Sequence, residues 1–157
     1  MGKMNLAQDI HIVPIRATTT DTATFSTPCI NMKLFEKVEF LVIFGTLSGG
    51  SNTLTVAQST ATTMTSTEAI AARYRMPAAA GTDTMGDVTA ITSSGITLTY
   101  GTFTTKGIIV DVDSSDMTVE SKPYVGLTFT GANSATSTIW ALCWPKYPKE
   151  TNSGALT

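Results

Sequence analysis

The run Phe35-Glu36-Lys37-Val38-Glu39-Phe40-Leu41-Val42-Ile43-Phe44 constrains this chain more than any other stretch. It leads into Gly45-Thr46-Leu47-Ser48-Gly49-Gly50. The run begins with polar/apolar alternation and ends apolar at every position, the pattern of a strand that enters from a sheet's rim and becomes buried on both faces. Val, Ile and three Phe disfavour the competing helix, and the Gly-rich turn would stop it. A central strand is therefore expected here.

The rest of the chain has to supply that strand with neighbours. At 157 residues it fits one domain and should bury roughly 70% of the surface exposed by its unfolded chain. Charged residues are only 14%, against a usual value of about 25%. Thirty threonines fill the gap, including Thr18-Thr19-Thr20 and Thr62-Thr63. Threonine is stiff at χ1 and suits a pleated surface. A charge-poor, Thr-rich chain with many glycines points to β structure with uncharged polar faces, whose edges need cover.

Period-two segments recur along the chain. Ile10–Arg16 reads as a first strand held to an edge or strand end by Pro14. Ala17–Pro28 reads as a loop or ragged extended crossing, and Cys29–Met32 as a short strand. After Ser48–Asn52, Thr53–Gln58 alternates and is expected to pair antiparallel with the Phe35–Phe44 strand. Thr65-Ser66-Thr67-Glu68 fits a capping box, so Ala69–Arg73 reads as a short helix or turn running into a strand Arg73–Met76. The rival is a strand over Ala71–Met76. A flexible loop reaches from Ala78 to Asp87. Val88–Thr92, Ile96–Tyr100, Gly107–Val112, Tyr124–Thr130 and Thr138–Trp144 complete the strands. The expected class is all-β: an antiparallel β-sandwich, jelly-roll-like or barrel domain with at most one short helix. The expected layout is a single domain over 1–157, with an arm at 1–9, a β core at 10–145 and a tail at 146–157.

Chemistry is sparse. His11, the one histidine, sits in an apolar strand, and any Ser-His-Asp or Cys-His set would have to be built around it. Catalytic, cofactor and metal residues are accordingly expected to be none, and the chain is expected not to be an enzyme. Asp111, Asp113 and Asp116 form the acidic cluster. They offer oxygen ligands of the kind calcium takes, but without the Gly and distal Glu of an EF-hand loop, so a strand ending in a solvated turn is favoured. Cys29 and Cys143 are expected as buried free thiols rather than a disulfide framework. A net charge of −2 and scattered lysines and arginines argue against nucleic acid as the main partner. No secretory signal, membrane span or lipidation motif is recognisable, so synthesis in the cytosol is expected.

The candidate contact residues are Arg73 and Arg75, two guanidinium groups on one face of an extended segment, and the aromatic, Pro-rich Trp144-Pro145-Lys146-Tyr147-Pro148. Trp140 and Trp144 share a strand face at period two, and one or both are expected in the core.

The order of these segments resembles that of small virion structural proteins of tailed bacteriophages. The residues carrying it are the Ile-Val-Pro-Ile strand, the Thr-rich stretch, Phe40–Ile43 before Gly49-Gly50, and Leu54–Thr60. Arg73-Tyr74-Arg75, Ile108–Asp113 and the closing Trp144–Pro148 continue the pattern. The resemblance covers roughly residues 10–148. It implies a β-rich subunit without catalytic residues, most like a head decoration (cement) protein on the capsid surface. Its implied partners are the major capsid protein and further copies of itself as a homotrimer, with Arg73, Arg75, Trp144, Lys146 and Tyr147 at interfaces. A tail, neck or fibre-attachment component is the alternative within virions. A carbohydrate- or receptor-binding sandwich using Trp144 and Tyr147 is the alternative outside them.

Overall fold

The computed structural model describes residues 9–131 and 133–147. Except for Asp9, the expected arm lies outside the described residues, as does the expected tail beyond Tyr147. Twelve strands are described: β1 (His11–Asp21), β2 (Phe25–Ser26), β3 (Ile30–Asn31), β4 (Phe35–Leu47), β5 (Ser51–Ser59) and β6 (Glu68–Ala69). The others are β7 (Ala72–Arg75), β8 (Thr89–Ile91), β9 (Ile96–Thr99), β10 (Gly107–Asp113), β11 (Tyr124–Thr130) and β12 (Ala135–Pro145). One helical turn, α1 (Tyr100–Phe103), and a 3-10 turn at Ser114–Asp116 complete the elements.

The strands form two antiparallel sheets packed face to face, an all-β sandwich. Sheet A runs β1-β12-β4-β10-β7-β8. Sheet B has β11 and β5 at its centre, with β2 and β3 beside β11, and β6 and β9 beside β5. Both sheets are open at their edges, so the expected alternatives narrow to a sandwich and exclude a closed barrel. The pairings nest: β1 with β12, β2 and β3 with β11, β4 with β10, β5 with β9. Folding a long hairpin back on itself in this way gives a jelly-roll-like wrap.

The expected central strand is β4, flanked by β12 and β10. It is not buried on both faces. Phe35, Val38, Phe40, Val42, Phe44 and Leu47 face the core, whereas Ile43 is 46% exposed and Leu41 partly so. The apolar run therefore serves the core with one phase and an outer surface with the other.

Thr53–Gln58 does not pair with β4 as expected. The turn at Gly49 and Gly50, with φ of +76° and +122°, carries the chain from sheet A across to sheet B, where β5 pairs with β11. Positive φ is the conformation glycine adopts without steric cost. The expected helix over Ala69–Arg73 is also overturned, and the rival strand is the one found. Thr65 is held by the turn after β5, where its carbonyl accepts from the Ser59 hydroxyl at 2.9 Å, and the next residues pair as β6 and β7.

Of the two readings of the Thr-rich stretch, a loop or a ragged extended crossing, the extended one holds for its first part, which continues β1 to Asp21 with register shifts on the way. Its hydroxyls meet those of β12, Thr18 with Thr138 at 2.6 Å and Thr20 with Thr136 at 2.8 Å. β1 is an edge strand, as Pro14 requires, and its register shifts directly after that residue. The loop expected to be flexible is hydrogen-bonded across its neck: Gly86 N donates to Met76 O and Ala78 N to Thr84 O.

Gln58 is a buried polar side chain in sheet B. Its Nε2 donates to Thr118 Oγ1 at 2.9 Å, and its Oε1 accepts from the backbone N–H of Thr118 and Val119. Both ends of the amide are thus satisfied, which is the condition for burying it.

Candidate interaction face

The registers of sheet A place side chains of separate strands in rows across its outer face. One row is Pro14, Trp140, Leu41, Ile109 and Arg75, on β1, β12, β4, β10 and β7 in turn. The next is Ile12, Leu142, Glu39, Asp111 and Arg73. Beyond it come Trp144, Lys37 and Asp113. On the other side of the first row stand Thr138, Ile43 and Gly107. Outward orientation follows from the alternation, because Val13, Ile139, Ala141, Val42, Phe40, Ile108 and Val110 are the buried phase.

The result is an apolar patch on β1, β12 and β4 beside a charged cluster on β4, β10 and β7. Ile12 is 40% exposed and Trp140 38%. Scattered exposed apolar residues are ordinary, but a contiguous set on one sheet face marks a contact surface.

The charged cluster is paired within the chain but keeps an excess of carboxylates, four against the two cations Lys37 and Arg73. Lys37 Nζ lies 2.9 Å from Glu39 Oε1 and 3.2 Å from Asp111 Oδ1. Arg73 Nε is 3.7 Å from Asp111 Oδ2, and its Nη2 contacts Asp113 and lies 3.3 Å from Asp116 Oδ2. Asp116 folds back so that its carboxylate also accepts from the Asp113 N–H at 2.9 Å. Burial works against both cations, but the carboxylates outweigh it. Glu39 and Asp111 raise the Lys37 pKa, and Asp116, Asp111 and Asp113 raise that of Arg73. The acidic residues weighed as calcium ligands thus converge on a guanidinium. No group of three or more His, Cys, Asp or Glu among the described residues is arranged for a metal. Lys37 Nζ also stands 5.4 Å from the Trp144 ring centroid, a cation–π distance.

Arg73→Met should cost about 1 kcal/mol or less in a urea titration at neutral pH, since the group is well exposed and its pairs are screened. A loss several times larger would mean that the cluster is coupled to the core.

The structure brings Arg73, Arg75 and Trp144 onto this one face. Arg75 donates from Nε to Gly86 O at 3.1 Å and meets no carboxylate among the described residues. Lys146 and the 71%-exposed Tyr147 lie off the face, past the end of β12. Lys146 borders an open groove of about 440 Å³ with Met32, Lys33, Met117 and Pro123.

The expectation that Trp140 or Trp144 fills the core is overturned. The inward phase of β12 is Ser137, Ile139, Ala141 and Cys143, mostly small groups that fit between closely packed sheets. Trp140, Leu41, Ile43, Ile109, Ile12 and Pro14 are not among the contact residues named from sequence. The available signal was that the β4 run is apolar in both phases, which one buried face does not require.

His11 stacks on Phe35, with ring centroids 6.0 Å apart, and is the cross-strand neighbour of Cys143. That juxtaposition does not activate the thiol. Burial pushes the Cys143 pKa up to about 12, and that of Cys29 likewise, slightly offset by a hydrogen bond with Ser59. Both cysteines are free and buried, as expected. Among the described residues no helix is long and apolar enough to cross a membrane.

Comparison with known proteins gives no match: no family model, no curated protein and no solved structure is similar to this chain.

Proposed function

We propose that this chain is a non-enzymatic assembly protein of a tailed-phage virion, a decoration (cement) protein of the mature head. The observation that carries the contact role is the outer face of sheet A, where an apolar patch centred on Trp140 lies next to an internally paired, carboxylate-rich charge cluster. The virion assignment rests on the resemblance in segment order, with the sandwich as a compatible frame; a fold alone does not assign a function. In this role the partners are the major capsid protein and further copies of the chain. Lys146 and Tyr147, at the end of the sandwich, are available to the shell. Binding only the expanded shell would stabilise that state by differential affinity, and many copies would make modest contacts hold.

The test is to locate the protein by labelled antibody on imaged particles. Label over the whole head surface is the expected result. Label on tail or neck moves the assignment to the virion alternative, and absence from particles overturns both.

One observation favours a second reading. Trp140 and Trp144, four residues apart on one strand, lie about 13 Å apart on a sheet face with charged neighbours, an arrangement that could stack sugar rings. This replaces the pair Trp144 and Tyr147 considered from sequence. A glycan array comparing the native chain with Trp140→Ala separates the readings, because a decoration protein gives no signal.

A further inference from the structure

We draw no further inference here: the strongest candidate, the open groove of about 440 Å³ past the end of β12, carries Glu120 as well as Lys33 and Lys146 on its rim and so selects no partner by charge, and nothing in the structure shows what covers it.

Discussion

Phe40→Ala is expected to lower stability by about 3–5 kcal/mol, the range for removing a buried phenylalanine. Phe40 is fully buried at the middle of β4. β4 is itself held on both sides, by β12 and β10. Neither neighbour can move in to close the space without losing its own register, so the cavity would persist. Against a typical total of roughly 5–15 kcal/mol, the loss would bring the chain close to unfolding at ordinary temperature. Urea titration should show a lower midpoint with an unchanged slope. Ile43→Ala, three residues on and on the outer phase, should cost under about 1 kcal/mol. If the two substitutions cost the same, the division of β4 into a core phase and a contact phase is wrong.

Alkaline pH should weaken the fold well before any arginine titrates. Burial raises the pKa of Cys29 and Cys143 from 9.0 to about 12. Above pH 9 the unfolded chain therefore releases two thiol protons that the native chain keeps. The native state binds more protons in this window, so stability falls as pH rises from 9 towards 12, by about 1.4 kcal/mol per pH unit for each thiol. Lys37 adds in the same direction. Its folded pKa is also raised, so its contribution is complete below the unfolded value and is lost as pH rises through the folded one. Urea midpoints taken between pH 7 and 11 should be flat at first and then drop. Cys143→Ala should flatten the drop by about half. A native thiol reagent assay should agree, with neither cysteine reacting until the chain unfolds. A flat profile to pH 11, or one unchanged in Cys143→Ala, would count against buried protonated thiols.

The positions of most strands are legible in the sequence because a period of two is a property of the segment alone. Ile96–Thr99, Tyr124–Thr130 and the Gly107–Asp113 strand lie where alternation and β-branching put them. The partners are not legible. Thr53–Gln58 alternates identically whether it pairs with β4 or with β11, and only the glycine turn's crossing between sheets decides. The inward phase is equally hidden. Trp140 and Trp144 visibly share a face, but that Ala141 and Cys143 face inward instead depends on how close the second sheet approaches. The misread helix has a local cause. Thr65 and Glu68 have the spacing of a cap, yet the turn draws on the Thr65 carbonyl, and Glu68 pairs with Lys122 at 3.0 Å. Of the face itself, Arg73, Arg75 and Trp144 could be named from their types. Their apolar neighbours came together only through registers spanning five strands.

The nesting of first strand with last has a consequence for synthesis. β12 lies between β1 and β4, and its threonine contact with β1 joins residues 120 positions apart. While β12 is still inside the ribosome, β1 has no partner in sheet A and β4 has a bare edge. β4 can pair with β10, and β5 with β11, before β12 is made, so this side of sheet A closes by one insertion that follows its other pairings. Such non-local closure is slow and exposed to aggregation. The sparse charge and abundant threonine of this sequence then serve a stage before assembly, giving the waiting strands hydroxyl groups that water can satisfy.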